Sequence, residues 1–209
     1  MITKFSSQHY HTAYKNRVLP VFIILACMGI MVCGDLGREL FQYQNAWRQE
    51  GQYWRLMTGH FTHLGWSHFF LNIAGFVLVW FMYGKIYRAR IWLGILFFTS
   101  IGISLGFYYL DTHLQSYVGL SGVLHGLIGA GIVGSVFQSH QGPKPKFHWE
   151  DVFIGVGLCA KITYEKIIGV VPLTESVSGG GVIVNAHLYG AIIGVLCSVI
   201  IIFFASENS

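Results

Sequence analysis

Six apolar stretches, each close to the length of a bilayer crossing, dominate this sequence. They run over about 18–34, 66–83, 91–110, 121–137, 152–171 and 182–205. A helix needs roughly 20 residues to cross the hydrocarbon core, and backbone in lipid must satisfy its own hydrogen bonds. The expectation is an all-α, polytopic six-helix bundle forming one membrane domain over residues 1–209. Composition agrees. Hydrophobic residues make up 54% and charged residues 11% of the chain, against about a quarter charged in soluble domains. That balance argues against a cytosolic enzyme, a nucleic-acid binder and a disordered chain. It makes the lipid bilayer the first partner and nucleic acid none.

Lys15 and Arg17 precede the first apolar stretch as in a signal sequence, but no small-x-small cleavage site is evident and five further stretches follow, so it reads as retained. Lys4, Lys15, Arg17, Lys85, Arg88, Arg90, Lys144 and Lys146 fall on one side of the expected topology, against Arg38, Arg48 and Arg55 on the other. Eight against three places both termini in the cytoplasm. Loops 35–65, 111–120 and 172–181 then face outward. Cys27, Cys33, Cys159 and Cys197 all lie in apolar runs and form no CxxC, so they read as buried small apolar side chains.

Ionisable and polar groups inside a bilayer are costly and mark functional sites by default. Here they are mostly histidines: His60, His63, His68, His125 and His187, with Asn72, Ser121, Lys161 and Glu165. Span four opens Gly119-Leu120-Ser121-Gly122. A serine at a helix start, between glycines, is a nucleophile candidate beside free N–H groups that can hold an oxyanion. It is equally a helix-start punctuation of Ser and Gly. Span six contributes Ala186-His187 followed by Gly190, Gly194 and Ser198, a small-residue ridge at four-residue spacing. Gly122, Gly126, Ala130 and Gly134 form a second ridge on span four. Two such ridges let helices approach backbone to backbone, which would bring His187 to Ser121. A buried structural histidine is the plainer alternative. His68 and Asn72 share a helix face and can serve as oxyanion donors or as an interhelical clasp. Lys161 and Glu165, spaced i,i+4, read as an ion pair within one helix, structural and pointing into the bundle.

Taken together, GxSG, Ala186-His187-x-x-Gly190-x-x-x-Gly194, His63…His68…Asn72 and Trp54-Arg55 resemble the rhomboid family of intramembrane serine proteases, over about residues 54–194. Gly119–Gly126 with Gly59-His60-Phe61-Thr62-His63 is most similar to the rhombosortase subfamily. The resemblance implies a Ser121 nucleophile and a His187 base, a dyad without a carboxylate. It implies an oxyanion held by Ser121 N–H, His68 and Asn72, with His63, Gly119 and Gly122 supporting. No cofactor or metal is implied. The implied substrate is a membrane protein with a C-terminal transmembrane tail of Gly-Gly, apolar span and basic end. The implied setting is a bacterial inner membrane with the site open to the periplasmic side. Where the family commonly has a tyrosine, this chain has His125, whose ring is expected to support His187 rather than act as base. Span five and loop 172–181, with Ser178-Gly179-Gly180-Gly181, are expected to form a gate. Two rivals stand beside this reading: a His-ligated haem membrane protein, suggested by His60 and His63, and an inactive rhomboid-like binding protein.

Overall fold

Long apolar stretches close their backbone hydrogen bonds internally, and the computed structural model, which describes residues 18–141, 146–170 and 182–207, is accordingly built of helices. In chain order these are α1 (Val18–Val32), α2 (Gly34–Phe41), α3 (Arg55–Thr58), α4 (Trp66–Tyr83), α5 (Ala89–Leu110), α6 (Ser121–Ser139), α7 (Trp149–Ile167) and α8 (Val184–Glu207). Four of them, α4, α5, α6 and α8, are long and apolar enough to cross a membrane. The chain is an all-α, multi-pass membrane protein.

The two remaining stretches differ from a plain crossing for physical reasons. The first breaks after Val32: α1 and α2 meet at 114°, and Gly34 at the bend has φ +58°, a backbone region that favours glycine. The fifth, α7, carries Glu150, Asp151, Lys161, Glu165 and Lys166. Its acidic first turn complements the helix dipole, which draws its start ahead of the expected 152. The expected gate loop at 172–181, with its glycine run, lies outside the described residues.

α6 sits at the centre, with Gly122–Leu127 and Gly129–Gly131 buried. Its small residues are what allow this. A Cβ on Gly190 or Gly194 of α8 would collide with the carbonyl of Gly122 or Gly126. One turn on, Ser198 Oγ donates to Ala130 O at 3.2 Å. Gly134 leaves the ridge and accommodates Ile86 and Tyr87 instead. Phe76, Ile95, Ile103 and Phe107 join Leu120 and Val123 in the core at and around α6. Large apolar side chains such as Phe81 and Phe153 point outward, as lipid solvation requires. Of the cysteines only Cys27 is buried; Cys33 and Cys159 are exposed on the outer surface, contrary to the expectation of burial.

The segment between α2 and α4 is pinned by side chains that bond backbone. Arg55 Nη1 donates to Glu39 O at 2.8 Å and Gln42 O at 2.9 Å, and Arg55 Nε bonds Gln52. Trp54 Nε1 donates to Leu40 O at 3.2 Å. These bonds take up carbonyls left free at the end of α2. β1 (Tyr43–Gln44) then pairs antiparallel with β2 (Ser116–Tyr117), Tyr43 opposite Tyr117. The pairing lays the segment between α2 and α4 on the segment between α5 and α6, just ahead of Ser121.

Candidate active site

The site is built on the first turn of α6. Its approach is set by Gly119, whose φ of +125° disfavours any side chain, and a Cβ there would lie 2.9 Å from the His68 ring. Gly119 N–H donates to Gly59 O at 3.1 Å. Tyr117 Oη donates to Gly119 O at 2.8 Å, and burial pushes its phenol up to about 12, so it acts as a neutral donor. Ser121 follows as the first helical residue. Leu120 is the N-cap and no side-chain cap bond forms, so the serine hydroxyl is not spent on punctuation.

That hydroxyl meets α8. Ser121 Oγ lies 3.1 Å from His187 Nε2, and His187 is buried. The contact follows from the helix crossing, because Gly122 packs on Ala186 and leaves no room for a Cβ. His125, one turn along α6, stacks on His187 with ring centroids 4.1 Å apart and planes 12° from parallel. Its Nδ1–H donates to Ser121 O at 2.7 Å, since a carbonyl can only accept. His125 is thus tied to the serine's backbone and lies flat against the histidine ring.

The second imidazole nitrogen has a partner that the sequence reading left out. Glu165 Oε2 lies 2.7 Å from His187 Nδ1. Its other oxygen receives Lys161 Nζ at 2.8 Å, and that ammonium also approaches His187 Nδ1 at 3.3 Å. The expected intrahelical pair exists, but it points at the histidine. The expectation of a serine and histidine without a carboxylate therefore does not describe this geometry. The signal was present in the sequence as a glutamate inside an apolar segment. What it lacked was the rotation of α7 against α8.

His68 lies over Gly119. Leu64 N–H donates to its Nδ1 in a long 3.5 Å bond, which leaves the proton on Nε2 and makes that nitrogen a donor. Asn72 Nδ2 donates to His68 O at 3.0 Å, one turn back on its own helix. One of its two N–H groups therefore braces the His68 backbone. His63 packs edge-on against His68 with centroids 5.1 Å apart, and against Phe69. His60 is turned elsewhere: Nε2–H reaches Ser100 O at 2.9 Å and Ser104 Oγ at 3.0 Å on α5. Burial holds its ring down at about 4, hence neutral. Among the described residues no three His, Cys, Asp or Glu side chains converge as a metal-binding group.

A half-buried hydroxyl against an imidazole, at a helix start with free N–H groups and a histidine donor nearby, is equipped to attack a carbonyl and hold the resulting oxyanion. A family model described as Rhomboid domain matches residues 50–204. No curated protein matches the chain.

Proposed function

This chain belongs to the rhomboid family of intramembrane serine proteases, and from that premise we propose that it is an endopeptidase whose Ser121 and His187 cut a membrane-tethered substrate near its C-terminal anchor. One observation carries the proposal: the 3.1 Å contact between Ser121 Oγ and His187 Nε2. His187 takes the hydroxyl proton as Oγ attacks the scissile carbonyl. Ser121 N–H, His68 Nε2–H and the free N–H of Asn72 hold the oxyanion, each such donor being worth about 10²–10³-fold in kcat. The imidazolium then protonates the leaving amine, and the acyl group stays on Oγ. Water, deprotonated by His187, attacks the ester and releases the new carboxylate. Peptide within a membrane helix is shielded because its carbonyl is bonded and water is absent, so small residues that loosen the helix at the cut favour the reaction.

The substrate we propose carries Gly-Gly, an apolar span and a basic tail; the run Gly119–Gly126 and the Gly59–His63 segment support this choice by their similarity to rhombosortases. We further place α1 and α7 as the two additional crossings of one membrane domain. The basic-residue bias supports cytoplasmic termini and a site open to the periplasmic side of a bacterial inner membrane. The test uses purified chain in liposomes with two reporter substrates, one ending in Gly-Gly, an apolar span and basic residues, the other with Gly-Gly replaced by Val-Val. The expected result is cleavage of the first at least tenfold faster. Equal rates contradict the tail preference; cleavage of neither contradicts the protease.

His125→Phe keeps a flat ring on His187 and is expected to retain turnover within about tenfold, as a stacking partner rather than a base requires. A dead His125→Phe beside an active His187→Ala would reverse the assignment of the base.

A further inference from the structure

We propose that Glu165 is a positioning residue for the reaction, completing a Ser121–His187–Glu165 relay, and that Lys161 aims it; the inference rests on the catalytic roles proposed above. The Glu165 side chain is fully buried and spans two helices, accepting from His187 Nδ1 on α8 at 2.7 Å while Lys161 on its own helix holds the other oxygen at 2.8 Å. An ionised carboxylate only accepts hydrogen bonds. Its hold on Nδ1 therefore requires the imidazole proton there, and Nε2 is left with the lone pair that faces Ser121 Oγ at 3.1 Å. Lys161 lies 3.3 Å from the same Nδ1. An ammonium bonded there would demand the opposite tautomer. The shorter carboxylate contact prevails, and Lys161 is already engaged by Oε1.

The same geometry serves the transition state. As Nε2 takes the serine proton, a positive charge forms on a ring with His125 stacked on one face and a buried carboxylate 2.7 Å from its edge. Between two buried side chains such a pair stabilises the imidazolium far more than it would in water. Lys161 balances the carboxylate before the reaction begins and fixes its rotamer, so the unreacted site does not bury a lone charge. A purely structural ion pair needs only Lys161 and Glu165. It gives no reason for the second oxygen to be delivered to His187.

The two roles separate by what an amide does at position 165. In Glu165→Gln, Lys161 draws the amide oxygen, so the NH2 group faces Nδ1 and drives the proton onto Nε2. That is the wrong tautomer for accepting from serine, a change that costs about 10⁴-fold in the serine-protease triad template. Glu165→Gln is therefore expected to lower kcat by roughly 10²–10⁴-fold with KM within about twofold. It is expected to be no more active than Glu165→Ala, although it is closer in shape. Adding Lys161→Met to Glu165→Gln frees the amide to turn its oxygen toward Nδ1, and is expected to restore turnover at least tenfold. The experiment measures kcat and KM in liposomes, fluorophosphonate labelling of Ser121 and thermal stability for Glu165→Gln, Glu165→Ala, the double variant and Glu165→Asp. Glu165→Gln with wild-type turnover, or activities ranked only by thermal stability, overturns the proposal. So does a double variant no better than Glu165→Gln. If Glu165→Gln does not fold, Glu165→Asp decides: more activity per folded molecule than Glu165→Ala supports the relay, and equal activity refutes it. Ser121→Ala and His187→Ala run in the same assay. If both are dead while Glu165→Gln is unimpaired, only the relay fails; if either cleaves, the roles beneath it fail.

Discussion

Ser121→Ala and His187→Ala are each expected to leave a folded chain whose cleavage of a membrane substrate falls by about 10⁴- to 10⁶-fold. The hydroxyl is a weak nucleophile without a base in contact, and the imidazole has nothing to activate without the hydroxyl. Because the two act as a unit, the double variant is expected to be no slower than either single one. The comparison is made by single-turnover cleavage in liposomes, with thermal stability followed alongside. His187 is buried and bonded to Glu165, so its loss also leaves one buried carboxylate oxygen without its partner; Ser121→Ala removes one half-buried hydroxyl and is the cleaner variant. Additive losses, or Ser121→Ala within tenfold of wild type, would show that these two groups do not share one step.

Gly194→Val is expected to damage both stability and catalysis, although residue 194 lies nearly two turns from His187 on α8. A side chain there meets the carbonyl of Gly126, and Thr99 and Ile103 of α5 already crowd the same glycine seam. α8 must move off α6. Forcing a group into a packed interface costs about 1–3 kcal/mol or more, which for a chain of this length corresponds to roughly 2–12 °C in Tm. The reacting contact spans the same two helices, and a misplacement of ~1 Å costs about 10²-fold in rate. Gly94→Ala and Gly157→Ala are the controls: a Cβ at either position meets nothing within 4 Å, so neither is expected to lower Tm or turnover, and a small rise in Tm is the expected helix-propensity gain. Thermal melts and turnover measured together check this. Gly194→Val with normal activity would mean that the close crossing is not what holds Ser121 to His187.

The helical fold was legible because lipid allows so few alternatives. Apolar length alone marks α4, α5, α6 and α8, and the four-residue rows of glycine point to the α6–α8 crossing before any coordinates. Ser121 and His187 were legible for the same reason: each lies beside one of those rows. The bend after Val32 was harder: Gly34 closes the first apolar stretch as expected, but nothing in the sequence shows that the residues after it form a second helix at 114° to the first. The pairing of Tyr43 with Tyr117 was not readable at all, because two-residue strands carry no periodicity. Glu165 and its pairing with Lys161 were visible; its second contact, with His187, was not. An i,i+4 lysine explains a glutamate within its own helix, and only the packing of α7 against α8 reveals that one oxygen is left over for His187.

Intact-protein mass spectrometry after fluorophosphonate treatment, with peptide mapping of the adduct, asks most directly whether Ser121 is activated by His187. The expected result is one adduct on Ser121 in the wild-type chain, absent in Ser121→Ala and at least 10³-fold slower to form in His187→Ala. Labelling of a different residue, or equal labelling of Ser121 with and without the His187 imidazole, would contradict it.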